Sequence, residues 1–395
     1  MNVSKRIEAM QYSPIRKLVP FAEAAKKQGK TVYHLNIGQP DIETPREFFD
    51  AVKNFDEKVL EYAFSQGIPQ LIDSFIEYYK LFGVTYGKDE ILVTNGGSEA
   101  LFFALVAVCD YGDEVIVPEP FYTNYNSFSK SAGAVVVPVA TQASDGFKLP
   151  PIDAIEGKIN SKTRAIMLSN PGNPTGAVYD IEDMNKVKAL ALKHNLYIIA
   201  DEVYKEMVYD GLKFTSFSQM EGIEDRVIIT DSISKRYSAC GARIGCVASK
   251  NKEVMKQILK LCQGRLCVAT IEQVGAAALS AVSPQYMADV IKEYESRRNI
   301  VFEALKRIDG VVCEKPHGAF YIMAKLPVAD ADDFAKWLLT DFSVDNATVM
   351  VAPGAGFYAT EGLGKDEIRI SYVLKEDKLK AAMNILAEAL KAYQG

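Results

Sequence analysis

One stretch of the 395-residue chain gathers groups able to do covalent chemistry: Ser232-Ile233-Ser234-Lys235-Arg236-Tyr237-Ser238-Ala239-Cys240-Gly241-Ala242-Arg243-Ile244-Gly245. It sets a single amine among hydroxyls, glycines and an arginine, just after the apolar run Val227-Ile228-Ile229-Thr230. A lysine held this way can form an imine with an aldehyde-bearing cofactor, while the serines and Arg243 grip a phosphate on the same molecule. The plainer alternative is a solvated surface lysine, which most lysines are.

Four other segments place polar or aromatic residues directly behind a short apolar run. Asn95-Gly96-Gly97-Ser98-Glu99-Ala100-Leu101 opens an apolar helix, and its exposed amides and positive dipole end suit a phosphate. A turn with a capping serine would have the same composition. In Pro118-Glu119-Pro120-Phe121-Tyr122, Tyr122 could stack on a planar ring, although aromatics more often fill cores. Asn170-Pro171-Gly172-Asn173-Pro174-Thr175-Gly176 is a rigid turn that would hold Asn173 outward as a donor, or is a turn and nothing more. In Ala200-Asp201-Glu202-Val203-Tyr204, a carboxylate behind five apolar residues would be buried and costly unless a cation meets it. A protonated ring nitrogen is one such cation; a structural arginine or a capping role is the blander account. Ser232-Ile233-Ser234-Lys235 also matches the Ser-x-x-Lys of penicillin-binding serine enzymes. That chemistry needs Ser-Asp-Asn and Lys-Thr-Gly as well, and the chain has neither.

The elements that would position these residues are short and β-branched: Ile91–Thr94, Glu114–Val117, Val135–Val137, Ala165–Leu168, Leu196–Ala200, Val227–Thr230 and Ile244–Ala248. None alternates strictly with polar residues, as expected of strands buried on both faces. The segments between them are mostly long enough for a helix. Asp183–Asn195 is a clear case, with Met184, Val187, Leu190 and Ala191 on one face. This predicts an α/β fold with a mostly parallel seven-stranded sheet covered by helices. Ligands of such sheets gather at the carboxyl ends of the strands, where every segment above lies. From about Pro284 the pattern changes to a long helix reaching Leu305, strand-like Ala319–Met323 and Glu367–Ser371, and a last helix from Glu376 to Tyr393. Two closely packed domains are expected: a large one over 45–285, and a smaller α+β one over 1–44 and 286–395.

Composition narrows the classes. A net charge of -6 argues against a nucleic-acid partner. No apolar run reaches the length of a membrane span, and no apolar leader follows Met1, so a cytoplasmic setting is expected. The six cysteines lack a Cys-x-x-Cys pair and the three histidines are scattered, so no metal is expected.

With these residues in hand, the chain resembles the class I, fold-type I pyridoxal-phosphate aminotransferases of the aspartate aminotransferase superfamily. The resemblance runs from Ser13-Pro14-Ile15-Arg16 and Asn36-Ile37-Gly38-Gln39-Pro40-Asp41 to Arg369-Ile370-Ser371-Tyr372. It implies pyridoxal 5′-phosphate as cofactor, with Lys235 carrying the internal aldimine and moving the proton between Cα and C4′. Asp201 would keep the ring nitrogen protonated, and Tyr204 and Asn173 would hold O3′. Gly97, Ser98, Ser232 and Arg243 would bind the phosphate, and Tyr122 would stack on the ring. Tyr62 resembles the tyrosine that reaches a neighbouring subunit's phosphate, which implies a homodimer with shared sites. Arg369, aided by Gly38, would clamp the substrate α-carboxylate. The chain departs from the family pattern at Arg236, Tyr237 and Ala242, which could reshape the cavity near the cofactor.

The expected substrates are an amino acid and a 2-oxo acid. An acidic donor such as aspartate needs a second cation for its distal carboxylate; dicarboxylate-specific members of the family the chain resembles take an arginine from the partner subunit from about this region, so the resemblance implies that role for Arg265, the alternative being an ordinary exposed arginine. Transamination of aspartate with 2-oxoglutarate through a ping-pong mechanism is the leading expectation. The same chemistry on aromatic, methionine or alanine-type substrates comes next, then β-elimination from cysteine conjugates, and last a non-catalytic ligand-binding regulator.

Overall fold

The computed structural model of the chain describes residues 1–393. Its strands, in chain order, are β1 (Thr31–His34), β2 (Ile91–Thr94), β3 (Glu114–Glu119), β4 (Val135–Ala140), β5 (Thr163–Ser169) and β6 (Tyr197–Asp201). They continue with β7 (Val227–Ser232), β8 (Gly245–Ala248), β9 (Tyr321–Lys325), β10 (Ala347–Met350), β11 (Ala352–Pro353) and β12 (Glu367–Ser371).

Strands β2 to β8 form one seven-stranded sheet in the order β2-β8-β7-β6-β5-β3-β4. Strands β3 to β7 pair in parallel, and β8 alone runs antiparallel to both neighbours, β7 and β2. Every residue of β2, β7 and β8 is buried, which is why none of these runs alternates with polar residues. The covering helices follow from local sequence. Ile181–His194 is capped by the Asp180 side chain, which accepts the amides of Glu182 and Asp183, and it stops at Asn195 in a left-handed conformation. It buries Met184, Val187, Leu190 and Ala191, the face read from the sequence. Helix Gly96–Val108 is apolar nearly all round, as suits one sandwiched between the sheet and other helices.

The remainder forms a second layer. β9, β11 and β12 make a three-stranded antiparallel sheet, and β1 pairs in parallel with β10. Leu18, Ala22 and Leu35 from the N-terminal segment share one hydrophobic cluster with Phe320, Phe334, Leu338, Ile370 and Leu386. On this packing we divide the chain into 45–285 and 1–44 with 286–395, of which positions 394 and 395 lie outside the described residues. The helix Pro284–Leu305 crosses the boundary, and the last helix spans Glu376–Ala392. The strand expected at Ala319–Met323 begins two residues later, because Ala319 takes a left-handed φ of 54° that ends extended pairing. Among the described residues no helix is long and apolar enough to cross a membrane, and no cluster of His, Cys, Asp or Glu is placed to hold a metal.

Candidate active site

A cavity of about 530 Å³ lies where the carboxyl ends of β5, β6 and β7 meet β9, β12 and the segment after β1. Gly38, Gly97, Ser98, Tyr122, Asn173, Asp201, Tyr204, Ser232, Lys235, Arg243 and Arg369 all line it. Nine of these eleven positions converge because six of the seven strands, all but β8, run in the same direction and end on the same edge; Gly38 and Arg369 come from the second layer.

Lys235 sits on the single helical turn Ile233–Arg236 that follows β7. Ser232 caps that turn, its Oγ accepting the Ser234 amide at 3.1 Å. The Lys235 amine is half-buried, donates to the Gly38 carbonyl at 2.8 Å and lies 3.7 Å from Cys240 Sγ. Facing it, the first turn of helix Gly96–Val108 leaves amides without partners inside the helix. Arg243 takes a left-handed φ of 53° and donates to the Cys240 carbonyl at 3.0 Å, which turns its guanidinium toward this helix start. Two glycines make the approach possible. A Cβ on Gly96 would come within 2.4 Å of Arg243 Nη2, and one on Gly245 within 2.6 Å of the Gly96 carbonyl carbon and 2.8 Å of the Gly97 nitrogen.

At the end of β6, Asp201 is buried. Its carboxylate accepts from the Tyr125 hydroxyl at 2.8 Å and the Val203 amide at 3.3 Å. Neither partner is a cation, so the structural arginine considered from the sequence is absent here. Burial pushes this carboxyl up to about 6, against the lowering pull of the Tyr125 hydrogen bond. The Tyr204 hydroxyl lies 2.8 Å from that of Tyr321. Tyr122 is half-buried and meets Tyr125 edge to face at 5.7 Å. Asn173 is buried and aimed into the cavity, not toward solvent, with Oδ1 accepting from Arg369 Nη1 at 3.1 Å.

Arg369 is only 2% exposed. Besides Asn173 it donates to the Asn36 carbonyl, and its guanidinium lies over the rings of Tyr321 and Phe357 at 4.4 and 4.9 Å. Among the described residues no carboxylate pairs with it, and its Nε has no partner. A surface salt bridge is thereby excluded. Burial pushes its pKa below the usual arginine range.

The departures at Arg236, Tyr237 and Ala242 do not reshape the cavity, because none of the three lines it. Arg236 turns inward and pairs with Asp231 at 2.9 and 3.0 Å, while Lys205 reaches the same carboxylate at 2.7 Å. Burial alone would raise Asp231, but the two cations outweigh it and hold the carboxyl below its usual range. Asp231 also accepts the Ser232 amide at 2.7 Å, so this buried cluster fixes the strand end from which Lys235 projects. Tyr237 stacks on Tyr286 outside the cavity.

Two expected residues stand apart. Tyr62 is 81% exposed and borders an open depression of about 950 Å³ with Phe55, Val59 and Thr270. Arg265 donates to the carbonyls of Ser65 and Val93 at 3.2 and 3.3 Å and lies 3.7 Å from Glu99. Sequence reasoning missed Asn36, Tyr125 and Tyr321. Asn36 sits two residues past β1, a position readable only once that strand is known; the two tyrosines lie where core aromatics are expected.

The chain matches the model of the family described as "Aminotransferase class I and II" over residues 30–386. It is 33% identical to an aspartate aminotransferase of Pyrococcus horikoshii, over 98% of this chain and 97% of that one. It is also 31% identical to an aromatic-amino-acid aminotransferase of Thermococcus litoralis, over 99% of each. The solved structure of an alanine aminotransferase from Pyrococcus furiosus superposes with a TM-score of 0.91 at 31% identity, over 99% of this chain and all of that one.

Proposed function

The chain belongs to the class I and II aminotransferases, and from that premise we propose that it carries the amino group of an acidic L-amino acid, such as aspartate, to 2-oxoglutarate in two half-reactions at one site. It is a pyridoxal-phosphate-dependent transaminase acting on amino acids and 2-oxo acids. The donor, the acceptor, the alternation of half-reactions and the residue roles are the proposal.

Three features support a fit of this cofactor. Asp201 is a buried carboxylate without a cation, as a protonated ring nitrogen requires. A Cβ on Gly245 or Gly96 would fill the space beside unpaired helix amides and Arg243, as a phosphate cradle requires. The Lys235 amine opens into the same cavity. When bound, the cofactor supplies an aldehyde and a protonated ring that draws electrons from the carbon losing its proton. Lys235 would hold the aldehyde carbon and, once displaced by the amino acid, move the proton at Cα. Asp201 would hold the proton on the ring nitrogen; Tyr204 and Asn173 would hold O3′. Gly97, Ser98, Ser232 and Arg243 would bind the phosphate, and Tyr122 would cover the ring. Tyr62, exposed beside Val59, Leu60 and Phe64, would reach the partner subunit's phosphate in a homodimer. Arg265, expected to cross to a distal carboxylate, instead serves carbonyls of its own chain, which weakens that role.

One observation carries the amino-acid reading: Arg369 is a buried guanidinium without a carboxylate among the described residues, with Gly38 and Asn36 beside it, while the acidic donor rests on the likeness to aspartate aminotransferases. A charge this desolvated is tolerable where an anionic substrate group completes it. The test adds L-aspartate alone to the holoprotein and follows the visible band of the bound cofactor. The band should fall and then return when 2-oxoglutarate is added. A band that aspartate leaves in place, but alanine or tyrosine discharges, would replace the acidic donor with a neutral or aromatic one, the second reading that the Thermococcus and Pyrococcus furiosus relatives favour. Repeated turnover of a cysteine conjugate to pyruvate, ammonia and thiol without any acceptor would indicate β-elimination.

A further inference from the structure

The basic residues lining the cavity are Arg16, Lys235, Arg243 and Arg369, against the single acid Asp201. The transaminase reading occupies three of these cations: Lys235 with the cofactor aldehyde, Arg243 with the phosphate and Arg369 with the α-carboxylate. Arg16 is left over. Its side chain is exposed toward the cavity and makes no ion pair or hydrogen bond among the described residues. The next residue, Lys17, is engaged elsewhere with Asp332.

Arg16 is not on a loose tail. Pro14 packs so tightly on Gly356 that a Cβ there would lie 2.2 Å from it, and Ile15 packs against the cluster around Phe357. The turn closes with the Arg16 amide donating to Ser13 at 3.1 Å and the Val19 amide to Arg16 at 3.1 Å. Buried Leu18 then anchors the following helix. Asn36 joins this arm to the α-carboxylate site, because its Nδ2 donates to the Ile15 carbonyl at 3.4 Å while its own carbonyl accepts from Arg369. The backbone on either side of Asn36 is therefore fixed, and it presents two guanidiniums to one cavity, Arg369 buried and Arg16 on an exposed, unpaired side chain at the open wall. Such a pair suits a substrate with two carboxylates on a short chain.

We infer that Arg16 of the same chain, and not Arg265, reads the distal carboxylate of dicarboxylic amino-acid and oxo-acid substrates. This rests on the transaminase reading and deepens it.

The test uses holoenzyme of wild type, Arg16→Ala, Arg16→Lys and Arg265→Ala. Two quantities are measured: the ratio of half-reaction kcat/KM for aspartate over alanine, and calorimetric binding of succinate, an unreactive diacid. Arg16→Ala should lower the ratio and weaken succinate binding by roughly ten- to a hundredfold. Arg16→Lys should recover part of both, because the charge stays while the planar fork is lost. Aspartate and alanine falling in equal proportion would make Arg16 a structural part of the arm and overturn the inference. A selective loss in Arg265→Ala alone would return the role to Arg265. If wild type shows no preference for aspartate, the acidic-substrate reading fails first, and the role of Arg16 fails with it.

Discussion

At the scale of single residues, Asp201 is a liability in the protein alone and an asset with the cofactor. Its carboxyl, ordinarily at 3.8, is pushed up to about 6 by burial. A group raised in this way favours folding only while protonated. That contribution is present in full below the unfolded value and is lost as pH rises through about 6. Above that the ionised group costs on the order of 3 kcal/mol. Cofactor-free Asp201→Asn should therefore gain stability over wild type, and the gain should grow by that amount between about pH 4 and pH 8 in chemical denaturation. The same variant should bind pyridoxal phosphate more weakly. A gain that does not change with pH would show that the carboxylate is not strained by burial. Comparison with wild type is needed because neighbouring Glu202, buried against Ser216, is also raised, to about 7. That Asp201, Tyr204, Asn173 and Lys235 meet in one cavity was legible because each lies within five residues of the end of an apolar run. The cation missing from Asp201 was not legible, since sequence shows burial but not partners.

At the scale of elements, the start of helix Gly96–Val108 lies against β8 only because residue 245 has no side chain. A Cβ there would sit 2.5 Å from the Asp231 carbonyl oxygen and 2.6 Å from the Gly96 carbonyl carbon, all of it backbone. Gly245→Ala should cost about 2–4 kcal/mol in denaturant stability and weaken pyridoxal phosphate binding about tenfold or more. Unchanged affinity would mean that the helix amides do not form the cradle. The strands were readable almost to the residue where whole runs are buried, as in β2 and β12. The antiparallel direction of β8 was not, because burial on both faces gives the same pattern in either direction. β1 and β10 escaped notice as well: Thr31, Tyr33 and Ala347 are only partly covered, and a four-residue strand at an edge leaves little periodicity.

At the scale of the whole molecule, apolar side chains gather where Tyr62 is exposed. Val59, Leu60, Tyr62 and Phe64 are each at least 60% exposed, and Leu266 is half uncovered. A cluster of this kind is costly unless another surface covers it. On the proposed homodimer, Leu60→Asp should give a slower-sedimenting species than wild type and faster loss of the cofactor on dialysis, because Tyr62 would no longer reach a partner's phosphate. A variant that sediments like wild type would remove this face from any subunit contact.

The pairing of Thr31 with Ala347 carries a consequence for biosynthesis. A chain emerging from the ribosome can complete the seven-stranded sheet once Ala248 is out, with Lys235 and Asp201 already in register. The N-terminal segment must wait for β10 and β12 before Asn36 can meet Arg369. The half of the pocket that would hold the cofactor can thus mature well before the half that would grip the amino acid's carboxylate. Nascent chains arrested after residue 300 should retain pyridoxal phosphate yet fail to bind succinate.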